Sequence, residues 1–111
     1  MTQRFCVDLA DIPPGSGRGI LLSMADGELP AVVIHYGGEI RVYINRCPHT
    51  GISLNWAEDQ FFDVDHNFIQ CSLHGALFEP LSGHCVWGPC LNKDLQSLPF
   101  ELVDQQVVIY I

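Results

Sequence analysis

Basic residues are scarce in this chain: five lysines and arginines face thirteen aspartates and glutamates, for a net charge of −8. A nucleic-acid-binding domain of this size presents a basic face to phosphates, so no nucleic-acid partner is expected. The acidic balance instead favours solubility and steering toward a basic partner surface. Long apolar runs are also missing. No stretch reaches the roughly 18 apolar residues of a membrane helix. The opening "MTQRFCVDLADIPPGSG" has no apolar run of signal-peptide length. The expectation is a cytoplasmic chain with no membrane partner, where cysteines stay reduced or bind metal. A nucleotide-binding G-x-G-x-x-G is absent as well, and "GSGRG" follows a proline turn, not a strand feeding a helix. Five cysteines, an odd number, do not make a simple disulfide framework.

What is present is an ordinary globular composition with 48% hydrophobic residues in 111. That length predicts one domain, residues 1–111, burying roughly 65% of its unfolded surface. Turn signals cut it into short pieces. "AVVIHYGGEIRVYIN" holds two β-rich runs joined by Gly37-Gly38, a two-residue hairpin signal. "NFIQCSLH" and "ALFEPLSGHCVW" read as a second hairpin region turning at "PLSG", and "LPFELVDQQVVIYI" as a third pair turning near Asp104-Gln105. "IPPGSGRG" reads as a loop. Helical turns are expected only in "GISLNWAEDQFF" and "LNKDLQSL". Many short strands at this spacing predict an all-β fold, an antiparallel β-sandwich or small barrel, without repeats or linkers.

Two loops at strand ends carry the chemistry. "CPHTG" follows the strand "IRVYIN", and "CSLHG" follows "NFIQ". Pro48 stiffens the first, and Gly51 and Gly75 permit backbone shapes a side chain forbids. Cys47, His49, Cys71 and His74 together offer two thiolates and two imidazoles, ligands suited to borderline and soft metals. One reading is a structural zinc site. Such sites usually draw both cysteines from one knuckle and both histidines from one helix. Here each loop supplies one of each, with no helical pattern, so zinc is the weaker choice. The other reading is a two-iron, two-sulfide cluster with cysteines on one iron and histidines on the other. Neutral imidazoles in place of thiolates remove negative charge, so accepting an electron costs less.

The paired signature C-x-H and C-x-x-H-G resembles that of the Rieske two-iron ferredoxins, with "FEPLSGHCVWGPC" and "LPFELVDQQVVIYI" adding to the likeness. The similarity runs from about Ala31 to the end of the chain. It implies a Rieske-type sandwich whose cluster-binding part, about residues 45–91, consists of the two loops. It also implies one [2Fe-2S] cluster per chain, with Cys47 and Cys71 on one iron and His49 and His74 on the other. A soluble electron carrier between a flavoprotein reductase and a terminal oxygenase, or another redox enzyme, is the implied role. The chain is too short for a catalytic oxygenase domain, and a second iron site of two histidines and a carboxylate is lacking, so no enzyme activity of its own is expected. The alternatives are a small regulatory or structural subunit of a larger redox enzyme, or a zinc-stabilised binding module.

Departures from the family pattern carry information. Where the membrane-complex members pair an extra cysteine from each loop, this chain has Ile52 and Leu73. Where high-potential members place hydroxyl donors to the cluster sulfurs, it has Ala76 and Phe78. Donors to sulfur favour the reduced state, so their loss implies a low potential for a Rieske centre. The spacer "NWAEDQFFDVDHN" is long and predicts an extra excursion, with "EDQFFDVD" a solvated loop. Gly88-Pro89 resembles the family's proline loop over the cluster, but reads equally as an ordinary strand-ending turn. Cys85 and Cys90 read as small buried hydrophobes rather than a disulfide, and Cys6 as packed or exposed. His35, His66 and His84 read as surface or hydrogen-bonded residues, and Trp56 and Trp87 as core or loop anchors.

Overall fold

The computed structural model describes residues 3–24, 27–46, 54, 61–63, 67–71, 76–88 and 93–111. Its organising element is a run of apolar residues too long for a strand covered on one side. Ala31, Val32, Val33 and Ile34 are all 0% exposed. Successive side chains of a strand point to opposite faces, so both faces of this one are covered. It is the centre of β3 (Gly27–Tyr36), flanked by β2 (Ser16–Met24) and β4 (Glu39–Ile44) in an antiparallel sheet of order β2-β3-β4.

Each face meets a different partner. Ala31 and Val33 join Leu22, Ile40 and Val42 in a buried cluster completed by Val107 and Ile109. The latter belong to β9 (Gln106–Tyr110), central in a second sheet between β1 (Arg4–Asp8) and β8 (Phe100–Val103). Val32 and Ile34 turn the other way, into a cluster with Tyr43, Leu54, Phe61, Ile69, Cys71, Ala76, Phe78 and Cys85. That cluster gathers a third sheet, β5 (Ile69–Gln70), β6 (Leu77–Phe78) and β7 (Cys85–Trp87). All strand pairs are antiparallel. The expected all-β sandwich is what forms, and no helix among the described residues is long and apolar enough to cross a membrane.

The turns obey local chemistry. Gly37 (φ 59°) and Gly38 (φ 80°) join β3 to β4. Asp104 (φ 47°) and Gln105 (φ 69°) join β8 to β9 with two left-handed residues, the twist a tight hairpin needs. "PLSG" turns between β6 and β7, where the Gly83 amide donates to Glu79 O at 2.7 Å and the Glu79 amide to His84 O at 2.9 Å.

Four expectations need correction. Residues 16–19 of "IPPGSGRG" are strand, not loop, paired with β3 from Ser16↔His35 onward. Gly17 sits there because a Cβ would lie 2.8 Å from Ile34 Cδ1 and 3.2 Å from Phe61, so a glycine signals close packing. Over its described residues "LNKDLQSL" is extended rather than helical. Its backbone is committed elsewhere: Lys93 O accepts from Cys85, Leu95 donates to Gly83 O, Ile44 donates to Gln96 O, and Leu98 donates to Val42 O. The "EDQFFDVD" run is not wholly solvated, since Phe61 and Phe62 are 1% and 8% exposed. Phe62 stacks on Tyr36 with ring centres 5.9 Å apart. Finally, Trp87 is 59% exposed and anchors no core. A register shift between β6 and β7, where Leu77 and Phe78 pair with Trp87 and Cys85, turns Cys85 inward and Trp87 outward. The helical turn expected in "GISLNWAEDQFF" falls largely outside the described residues, as do Trp56, His66 and Cys90.

Gly83 tests the contact between the third sheet and β4. With φ at +75°, it would place a Cβ 2.9 Å from Tyr43 Cε1 and 3.3 Å from Leu95 Cβ, whereas Gly15 (φ +81°) has nothing within 4 Å. Gly15→Ala should lose about 1 kcal/mol from backbone strain alone. Gly83→Ala should lose about 1–3 kcal/mol more from overpacking. Urea denaturation of both variants measures the difference, and equal losses would mean that the Tyr43 ring yields without cost.

Candidate metal centre

Both loops rise from one patch of buried structure. β4 ends at Ile44, and Asn45, 7% exposed, continues its ladder by donating its amide to Pro30 O at 2.9 Å. The Asn45 side chain then bridges the first loop: Oδ1 accepts from the Leu54 amide at 2.8 Å. The second loop is bridged by backbone, the Cys71 amide donating to Ala76 O at 2.8 Å. Leu54, Cys71 and Ala76 all belong to the buried cluster under the third sheet. Cys71 itself is 1% exposed. Of the four sequence-predicted ligands it alone is described; Cys47, His49 and His74 lie outside the described residues.

The hairpin after the second loop is tied to the same strand. Tyr43 is 1% exposed, and its hydroxyl donates to Pro80 O at 2.8 Å. Arg41, two residues earlier on the same face, donates Nε to Leu81 O at 3.0 Å. Burial pushes the Tyr43 phenol up to about 12, with the nearby Arg41 charge opposing the rise. At neutral pH the hydroxyl is therefore a fixed donor. Gly88 presses on the foot of the second loop: its φ is +106°, and a Cβ there would sit 2.8 Å from Ala76 Cα. Side chains are forbidden on steric grounds where the chain passes over Ala76 toward Pro89, which is outside the described residues.

Other marked residues resolve simply. His35 Nδ1 donates to Ile12 O at 2.8 Å, and His84 Nδ1 to Asp94 Oδ1 at 2.7 Å, so both are hydrogen-bonded residues, as expected. Cys85 is 0% exposed in the core cluster, its thiol donating to Trp87 O at 3.4 Å. Cys6 is exposed on β1. Ala76 and Phe78, both fully buried, carry no hydrogen-bond donor in their side chains. Sequence reasoning overlooked Asn45 and Tyr43. The available signal was a polar amide and a phenol ending the apolar alternation "IRVYIN" just before Cys47.

A family model for the Rieske [2Fe-2S] domain matches residues 6–110. The chain belongs to that family. A Rieske-type [2Fe-2S] cluster is accordingly its cofactor, and the residues present fit it: a buried thiol heads the second loop, and the feet of both loops share one dry core. Solved structures agree on the fold. A chain from a complex of reduced oxygenase and oxidized ferredoxin in carbazole 1,9a-dioxygenase has a TM-score of 0.73 at 23% identity, covering 97% of this chain and 91% of that one. The ferredoxin of carbazole 1,9a-dioxygenase from Nocardioides aromaticivorans IC177 gives 0.71 at 17% identity, covering 98% and 96%. A Sphingomonas yanoikuyae B1 ferredoxin gives 0.70 at 23% identity, covering 98% and 97%. No curated protein matches the chain.

Within this Rieske frame the Tyr43 hydroxyl has a measurable signature. Tyr43→Phe leaves Pro80 O without its donor and should cost about 0.5–1.5 kcal/mol at pH 7. A tyrosine in the unfolded chain ionises near 10, but Tyr43 in the folded chain ionises near 12. Between those values the unfolded state loses its proton first, so the stabilisation is intact below pH 10 and declines up to pH 12. The slope is at most about 1.4 kcal/mol per pH unit. Chemical denaturation of both proteins from pH 7 to 12 should show the wild-type advantage shrinking in that window. A constant gap would refute the raised pKa.

Proposed function

We propose that this protein is a single-domain, cytoplasmic Rieske-type ferredoxin. It takes one electron from a flavoprotein reductase and delivers it to a terminal oxygenase or another redox enzyme, without catalysing a reaction of its own. Cys47 and Cys71 would hold one iron, and His49 and His74 the other. The observation that carries this reading is the common origin of the two loops: both are bridged at their feet, over one buried cluster headed by the Cys71 thiol.

When bound, the cluster supplies a site that gains or loses one electron with no bond broken in a substrate. The chain's own residues then do three things. Tyr43, Phe78 and Leu54 keep water from beneath the loops, since each is at most 1% exposed. Asn45 and the Cys71–Ala76 backbone pair hold the loop feet. Ala76 and Phe78 have no side-chain donor to offer the cluster sulfurs, which would disfavour the reduced, more negative state and lower the potential for a Rieske centre. The neighbouring ferredoxin–oxygenase complex supports an oxygenase as acceptor, and the net charge of −8 favours partners with a basic docking surface.

The deciding measurement uses protein purified without oxygen: iron and acid-labile sulfide per chain, and the EPR spectrum after reduction. Two irons, two sulfides and a reduced-state signal of the mixed histidine–cysteine type are expected, with Cys71→Ala losing all three. A flavoprotein reductase should then reduce the loaded chain. Zinc without sulfide would sink the electron-carrier reading and leave a structural module. A cluster that no reductase can reduce would instead favour a regulatory or structural subunit.

A further inference from the structure

The three side chains that leave one face of β4 and its extension, Arg41, Tyr43 and Asn45, all end on the loop-bearing half of the molecule. Arg41 and Tyr43 hold the turn after the second loop, at Leu81 O and Pro80 O. Asn45 holds the far foot of the first loop, at the Leu54 amide. Residues two apart on a strand share a face at a fixed spacing. One strand face therefore ties Leu54, at the far foot of the first loop, and the hairpin that follows the second loop to a common register.

Asn45 is the informative member. It is the one buried polar residue among the described residues, at 7% exposure, and lies two positions before Cys47. A buried amide is costly unless it is bonded, and an apolar residue would pack in this core at less cost. Its bond to Leu54 also spans nine positions, closing the chain around the whole first loop. We propose that Asn45 is a positioning residue of the metal centre: its Oδ1 fixes the foot of the first loop so that Cys47 and His49 stand at a set separation from Cys71. This rests on the ligand assignment given above. The device is geometric, so its loss should appear in the cluster's spectrum and potential, not only in stability.

The test compares wild type, Asn45→Ala and Asn45→Asp, the last keeping an acceptor oxygen at the same reach. Amide exchange is followed at Leu54, thermal unfolding is measured, and each protein is loaded anaerobically for iron, sulfide, reduced-state EPR and potential. In Asn45→Ala the Leu54 amide should exchange roughly tenfold faster, as loss of one buried hydrogen bond implies. Its EPR features should shift or broaden and its potential move. Asn45→Asp should recover Leu54 protection and the wild-type line shape. If Asn45→Ala lowers the unfolding temperature yet keeps wild-type g-values and potential, the bond is merely structural and the proposal fails. If Asn45→Asp behaves like Asn45→Ala, the acceptor oxygen is not the cause and it fails too. Should Asn45→Ala not fold, the Asp comparison decides alone: wild-type exchange and line shape support the proposal, and altered ones overturn it. A wild-type chain that takes up no iron and sulfide overturns the ligand assignment itself, an outcome distinct from an unaffected variant.

Discussion

The constraint on which everything else rests is that β3 must be covered on both sides. Four consecutive residues, Ala31 to Ile34, are fully buried, and a strand alternates its side chains strictly. A single sheet pairing cannot satisfy that. One face takes the sheet of β1, β9 and β8, and the other takes the short strands β5 to β7. Burying a large apolar side chain is worth about 1.5–3 kcal/mol, so leaving either face open would forfeit several such contributions. The loop-bearing half is thus a structural requirement of β3 and not an ornament on a finished sandwich.

That requirement explains how short strands can carry precise geometry. β5 and β6 have two residues each and β7 has three, too few ladder bonds to hold a position alone. Their placement comes from the core beneath and from polar ties to β4: Arg41 to Leu81, Tyr43 to Pro80, Asn45 to Leu54. The extended segment 93–98 adds a second strap, bonding to β4 through Ile44 and Leu98 and to β7 through Cys85. The described feet of the two loops, Asn45, Leu54, Cys71 and Ala76, are fixed on that base by hydrogen bonds and burial.

What the sequence made legible follows from which physics is local. Gly37-Gly38, Asp104-Gln105 and "PLSG" were readable because a tight turn is decided by its own few residues. The family was readable because metal chemistry restricts residue type and spacing, and the paired Cys/His motifs carry that restriction in the sequence. Readings failed where distant contacts decided. "IPPGSGRG" looks like a loop by composition, but Gly17 and Gly19 are strand residues, and Gly17 makes room for Ile34 and Phe61. "LNKDLQSL" has helical content, yet its amides and carbonyls are claimed by β4 and β7. Trp87 reads as a core or loop anchor, and the core half of that reading fails because a register shift with β6 turns the ring outward. Asn45 escaped notice because its role depends on Leu54, nine residues on and meaningless as a partner without the fold.

The two cores divide the work unequally. Among the described residues, the cluster beneath the terminal sheet draws on residues 12–42 and 107–109, with packing neighbours at Phe5, Val7, Leu9, Ile20, Leu29, Leu98, Phe100 and Ile111. The described residues that flank the two proposed ligand loops, Leu54, Cys71 and Ala76, are not part of it. The other cluster depends on Leu54, Cys71 and Ala76, which flank or begin those loops. The two cores meet at β3, whose Val32 and Ile34 face the cluster of Leu54, Cys71 and Ala76 while Ala31 and Val33 face the other. Contacts that lie apart combine nearly additively, whereas those sharing a core do not. The frame can thus keep its register while the loop-bearing half loosens. Many apolar sets fill a frame, but few arrangements hold two loops at one separation.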